Sequence, residues 1–350
     1  MGKRHHRDGK ATTVARPRRL GWIGLAVLVL VGVVGLLMFQ PWASTAESSD
    51  RPREEFAAER EAAPGSEKPV AFDGKRAMEY LEEVCKIGPR ISGTEGMKKQ
   101  QELIENHFKK LGARVTYQRF TARQTSVRKP IEMANLIVSY HPERTRRVIL
   151  CSHYDTRPIA DQEPNPRRWN DPFLSANDGG SGVAVLMELG NHMKDLDSKV
   201  GIDFVFFDGE EYIFEPKSDD YFLGSKHFAR EYARDRKKTT YLGAVLLDMV
   251  AAKGAVFPVE PNSWTRASKL VREIWGIAAE LKCSAFKEQM GAVAVEDDHI
   301  PLNRGGIPAI DIIDFDYPHW HRLSDVPRNC SPGPMEQVGR VCSVWLQRAR

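Results

Sequence analysis

Cysteine is scarce in this 350-residue chain, with five residues at positions 85, 151, 283, 330 and 342. An odd count excludes a complete disulfide framework, and no two cysteines stand at zinc-ribbon spacing. Cys85, Cys151 and Cys283 lie in apolar patterns typical of buried thiols, so pairing in an oxidising compartment is open for Cys330 and Cys342. Excess charge is also missing. The net charge is +4, and residues 1–19 hold seven Lys or Arg against one Asp, leaving 44 basic and 46 acidic residues elsewhere. A folded part so close to neutral, with dispersed basic residues, excludes a nucleic-acid surface. There is no internal repeat.

Long apolar runs are limited to one. Trp22–Phe39 is eighteen residues without a charge, preceded by Lys3, Arg4, Arg7, Lys10, Arg16, Arg18 and Arg19. A helix needs about 17 residues to cross a bilayer, and the core of a signal peptide usually spans about 7 to 15. Residues 20–41 are therefore expected to be an uncleaved transmembrane signal anchor, the alternative being a long signal cleaved near Ala46. The basic tail, residues 1–19, should stay in the cytoplasm and place everything beyond on the other side of the membrane. Residues 42–68, rich in Ala, Glu, Ser, Arg and Pro, cannot bury enough surface to fold and read as a flexible linker. Residues 69–350 remain as the folded domain.

That domain alternates helical and strand patterns. Helices are expected over 76–87, 94–111, 183–193, 224–234 and 264–281, with a terminal helix from Met335. Strands are expected over 114–121, 133–140, 147–151, 202–207, 242–247 and 307–313. The class is α/β with a mostly parallel central sheet flanked by helices. In such sheets ligands bind where the carboxyl ends of strands converge. Several strands here end in polar groups. Val205–Phe207 runs into Asp208, Gly209, Glu210 and Glu211; the strand at 147–151 runs into His153; and Leu242–Leu247 runs into Asp248. The polar loop 156–175, with four prolines, is long enough to imply that it shapes a site. The glycine-rich turn at 177–182 lacks the Lys-Ser or Lys-Thr of a phosphate loop, so Asp178 reads as a carboxylate fixed near a helix start.

Collected after strands are His153, Asp178, Glu210, Glu211, Asp248, Asp297, Asp298 and His321. Imidazoles and carboxylates in threes suit Zn²⁺, which keeps a fourth position open when catalytic. Adjacent Glu210 and Glu211 can divide the labour, one holding metal and the other carrying a proton.

The motifs Ser-His-Tyr-Asp at 152–155, Asn-Asp-Gly at 177–179, Phe-Phe-Asp-Gly-Glu-Glu at 206–211, Leu-Leu-Asp at 246–248 and Trp-His at 320–321 resemble the co-catalytic zinc aminopeptidase family. Within it they are most similar to the glutaminyl cyclases, over about residues 75–350. The resemblance implies a zinc held by Asp178, Glu211 and His321, with Glu210 as general acid and base. It implies Asp248 and Asp297 as partners in proton handling, with His153 and Asp248 as ligands of a second ion in the two-zinc aminopeptidases. The twelve-residue insert Tyr212–Leu223 and the segment Glu296-Asp297-Asp298-His299-Ile300-Pro301 are similar to the cyclase branch. Trp320 stands where cyclases line the glutamine pocket. Many animal cyclases carry a tryptophan in the insert; here it reads Tyr212-Ile213-Phe214-Glu215-Pro216, which leaves Tyr212 and Phe214 as the substrate contacts expected from it. The implied reaction is conversion of an amino-terminal glutamine of peptides or proteins to pyroglutamate. The alternative is zinc aminopeptidase hydrolysis with one or two ions.

Overall fold

The computed structural model describes residues 67–350 apart from Lys237. The expected basic tail and membrane segment, and nearly all of the linker, lie outside the described residues. Among those described, no helix is long and apolar enough to cross a membrane.

Side-chain caps start the first two helices. In α1, Gly74–Lys86, the carboxylate of Asp73 accepts from the backbone amides of Lys75 and Arg76. In α2, Glu95–Lys110, the hydroxyl of Thr94 accepts from Met97 N. Each such cap satisfies helical N–H groups that have no intrahelical partner. The strands follow as β1 (Arg114–Ala122), β2 (Ile131–Tyr140), β3 (Arg146–His153), β4 (Gly201–Phe207), β5 (Thr240–Asp248) and, after a break, β8 (Ala309–Ile313). Between them come helices α3 (Ser181–Gly190), α4 (Leu223–Arg234), α5 (Pro261–Glu280) and α6 (His299–Arg304), and α7 (Pro332–Arg348) closes the chain.

The six strands form one sheet in the order β1-β2-β4-β3-β5-β8. The sheet is mixed, with three parallel pairings and two antiparallel ones. β4, β3, β5 and β8 run parallel, whereas β1 pairs antiparallel with β2 and β2 antiparallel with β4. The reason is connection length. Residues 123–130 between β1 and β2 are too few for a crossover, which takes a dozen or more, so the two strands close as a hairpin.

β4 is buried at every residue. Its alternate side chains serve two cores: Ile202, Phe204 and Phe206 join the large core with α1, α2, α3, α5 and α7, while Val205 and Phe207 face α4 and α6. Burial on both faces explains the apolar run Phe204–Phe207, and the one charge in the strand, Asp203, is buried against the Arg147 guanidinium at 2.7 Å. Pairing His153 with Phe207, and Asp248 with Ile313, brings the ends of β3, β4, β5 and β8 level at one edge.

Two short elements carried no legible period. β6 (Phe257–Val259) and β7 (Phe286–Met290) form a separate two-stranded parallel sheet. α6 is a single short helix that begins at the end of the acidic segment Glu296-Asp297-Asp298. All five cysteines, Cys330 and Cys342 included, are buried free thiols.

Candidate active site

At the end of β4 the backbone must turn sharply. Gly209 makes the turn with φ +70°, and a Cβ there would meet Met133 Sδ at 2.7 Å. Asp208 is sacrificed to this turn rather than to the site: it accepts from Ser92 Oγ at 2.7 Å and from Ala134 N at 2.9 Å. The turn releases Glu210 and Glu211, whose amides donate to Asp155 Oδ1 and Oδ2 at 3.0 and 3.2 Å. The two glutamates then diverge. The Glu211 side chain is 2% exposed, whereas that of Glu210 keeps 13%. Glu211 Oε1 also accepts from Arg157 N at 2.9 Å.

Asp178 is fixed by its own backbone. The amides of Asn177 and Asp178 donate to Asp325 at 2.9 and 3.1 Å, and Ala251 N donates to Asn177 Oδ1 at 2.8 Å. Gly179, at φ +71°, lets this turn lie against β3, because a Cβ would fall 2.5 Å from Asp155 O and 2.9 Å from His153 Cε1. The glycine-rich turn thus serves close approach and not phosphate.

Asp178 stands between two histidines. Its Oδ1 lies 3.1 Å from His153 Nε2, which is also 3.3 Å from Asp248 Oδ1. Its Oδ2 lies 3.5 Å from His321 Nε2, which is 3.1 Å from Glu211 Oε2. His153, Asp178 and Glu211 each bring one ligand atom within 4.8 Å of the others. The buried atoms Asp178 Oδ2 and His153 Nδ1 have no hydrogen-bond partner. Unpartnered buried polar atoms in a nitrogen-and-oxygen donor set, amid an excess of buried carboxylates, fit a bound cation.

The protonation pattern agrees. Burial pushes Glu211 up to about 7, with the Asp178 charge adding to it. Glu210 and Asp297 are raised well above the ordinary carboxylate range by burial, with neighbouring charges contributing: Asp297 beside Glu210, and Asp248 beside Asp297. Asp248 is raised for the same reason, and Asp298 is pushed up to about 7. Burial works against the charged form of His321, but its bonds to Asp161 and Glu211 prevail and lift it to about 9. His153 is also raised against burial, by Asp155, Asp178 and Asp248.

Seven of the expected residues therefore converge: His153, Asp178, Glu210, Glu211, Asp248, Asp297 and His321. Trp320 joins them, half-buried and stacked on His321 with ring centroids 4.0 Å apart, its other neighbour being Phe315 at 5.2 Å. Tyr212 and Phe214 do not converge. Their rings meet edge to face at 5.2 Å in a satellite core with Phe120, Ala122 and Met133. The amide of Gln124 grips Tyr212 O at 2.8 Å, turning this stretch onto the β1–β2 hairpin. The far end of the insert returns to the site instead: Phe222 N donates to Glu210 O at 2.9 Å, and the Arg157 guanidinium sits over the Tyr221 ring at 5.7 Å.

The supporting residues Asp155, Arg157, Asp161 and Asp325 were not legible as site residues. Asp155 lies within the Ser-His-Tyr-Asp motif, whose pattern assigns it no partner, and Asp325 meets Asp178 from 147 positions away.

The model of peptidase family M28 matches residues 135–346, and the chain belongs to that family. Among solved structures, it is similar to the glutaminyl cyclase of Fimbriiglobus ruber, at 48% identity and TM-score 0.80, covering 83% of this chain and all of that one. A Zn-dependent exopeptidase from Parabacteroides distasonis matches at 29% identity and TM-score 0.72, covering 79% of this chain and 98% of that one. The glutaminyl-peptide cyclotransferase-like protein of Mus musculus is 26% identical over 284 residues, 73% of this chain and 71% of the mouse protein.

Proposed function

We propose that this protein is a zinc-dependent glutaminyl cyclase, converting the amino-terminal glutamine of peptides or proteins to pyroglutamate with release of ammonia. The observation that carries the reading is the junction of Glu210, still reachable from solvent, with the buried acids Asp248 and Asp297 beside the Trp320–His321 stack. A proton carrier with its carboxyl held above the ordinary range suits a reaction that takes a proton and returns it near neutral pH. Family membership and the similarity to solved cyclases support the same reading.

Asp178, Glu211 and His321 would hold the zinc. When bound, it supplies a Lewis acid toward the side-chain carbonyl of the substrate glutamine. Glu210 accepts a proton from the substrate's α-amine as that nitrogen forms its bond to the side-chain carbonyl carbon. It then delivers the proton to the departing amide nitrogen, which leaves as ammonia. The negative charge shared by Asp248 and Asp297 strengthens the hold of Glu210 on a proton, so that it can take one up and keep it until the leaving nitrogen receives it. Trp320 offers a flat apolar wall that orients the glutamine side chain and excludes water, which this reaction does not consume.

The test is incubation of the full chain with equimolar zinc and a peptide beginning Gln-Phe, followed by mass spectrometry. Loss of one ammonia with the peptide bond intact is the expected result. Free glutamine and a shortened peptide would instead mean the less supported aminopeptidase, with a second ion on His153 and Asp248.

The reading extends to placement. The basic flank before Trp22–Phe39 supports an anchored protein with a cytoplasmic amino terminus and an extracytoplasmic catalytic domain. Protection of residues beyond Pro41 inside the cytoplasm, in a topology assay, would overturn that placement.

A further inference from the structure

His321 is held in an unusual backbone conformation. Its φ is +51°, the left-handed region that a residue with a Cβ adopts at a cost and only where its surroundings fix it. The fixing groups come from one stretch, residues 157–163, at the start of the proline-rich loop. Gln162 N donates to His321 O at 3.2 Å. Leu323 N donates to Glu163 Oε2 at 3.3 Å. Asp161 Oδ1 lies 2.9 Å from His321 Nδ1.

Asp161 is itself held on its other side. Arg157 Nε and Nη2 reach its two oxygens at 3.1 and 2.7 Å, a two-point contact that leaves the carboxylate little rotational freedom. Arg157 is in turn 2% exposed and covered by the Tyr221 ring. Arg157, Asp161 and His321 therefore form a buried chain in which each member orients the next. A carboxylate that cannot donate, facing Nδ1, requires the proton to sit on that nitrogen. Nε2, 3.5 and 3.1 Å from Asp178 and Glu211, is then the nitrogen that gives up its proton and offers its lone pair when a cation binds between them.

We infer that Asp161 is a positioning residue that sets the tautomer and ring orientation of His321 for metal binding, with Arg157 as its brace and the loop 157–163 as the strap holding the strained backbone. The inference rests on His321 being a metal ligand. It assigns a purpose to a loop whose length and proline content are otherwise unexplained, and it makes the loop part of the metal centre.

The experiment compares four forms of the full chain: wild type, Asp161→Asn, His321→Ala, and Asp171→Asn. Asp171 lies in the same loop, its side chain 45% exposed and paired with Arg168 at 2.8 Å, and serves as the control. The readout is zinc affinity by competition with a chromophoric chelator, which needs no turnover. Asp161→Asn is expected to weaken zinc binding roughly 10- to 100-fold, the usual effect of losing an outer partner of a ligating histidine. Asp171→Asn should bind as wild type. If His321→Ala loses affinity while Asp161→Asn does not, the positioning role is overturned. If neither variant loses affinity, the assignment of His321 as a ligand falls and the inference with it. A second measurement needs no variant: in zinc-loaded wild type labelled with ¹⁵N-histidine, His321 should show a protonated Nδ1. A bare Nδ1 there would overturn the proposal even if Asp161→Asn failed to fold.

Discussion

Asp155 accepts the backbone amides of both Glu210 and Glu211, at 3.0 and 3.2 Å, and so one carboxylate at the end of β3 fixes two carboxylates at the end of β4. It also lies 3.6 Å from His153 Nδ1. The pairing of β3 with β4 makes this possible by placing His153 level with Phe207. Asp155→Ala should therefore displace Glu210 and lower kcat on the order of 100-fold, since a shift of about 1 Å in a catalytic group can cost that much. Asp155→Asn should be milder, keeping one acceptor for one of the two amides. Equal kcat for Asp155→Ala and wild type would remove Asp155 from the machinery.

Glu210 carries the proton in the proposed reaction but stands apart from the expected ligand set. Glu210→Gln should lower kcat by roughly 10²- to 10⁴-fold, the range general acid and base groups usually contribute. Zinc affinity should stay within a few-fold of wild type. A large loss of metal with this substitution would reassign Glu210 as a ligand.

Trp320 covers His321 and is itself only half-buried, so its removal should be felt in substrate handling more than in folding. Trp320→Ala is expected to reduce kcat/KM about tenfold or more, equivalent to roughly 1.4 kcal/mol. Trp320→Phe, which keeps an aromatic face, should recover part of it. Steady-state kinetics on the Gln-Phe peptide decides, and unchanged kcat/KM in Trp320→Ala would make the ring a packing residue.

Asp208 gives the pH dependence of stability a definite sign. Burial, with the neighbouring Asp155 charge, pushes its carboxyl up to about 7. The unfolded chain releases this proton near its ordinary value of about 4, so between roughly pH 4 and 7 the folded state binds more protons. Stability of the metal-free protein must then fall as pH rises through that window, by up to about 4 kcal/mol from this group. Asp208→Asn should flatten the curve, with Asp298 and Asp325, also at about 7, supplying the slope that remains. Denaturant unfolding at several pH values measures it. Parallel curves for variant and wild type would show that Asp208 is ionised in the folded state.

What the sequence by itself determined follows from local rules. Periodicity placed the strands and longer helices within a few residues, because apolar side chains on a buried strand or helix face recur at fixed intervals. The catalytic candidates were legible for a related reason: charged residues placed directly after buried strands have few structural explanations. The tertiary structure decided the rest, where meaning depends on partners far away in the chain. The hairpin at β1–β2 made the sheet mixed, which the apolar pattern of those strands does not encode. Tyr212 and Phe214 read as pocket residues by position, yet the hairpin offered them an apolar surface and they took it. Asp161 and Asp325 looked like ordinary loop carboxylates, and only the meeting of the loop at 157–163 with His321, and of Asp325 with Asp178, gave them work. Hydrogen-bond partners of this kind have no period and no fixed spacing, so the folded chain alone identifies them.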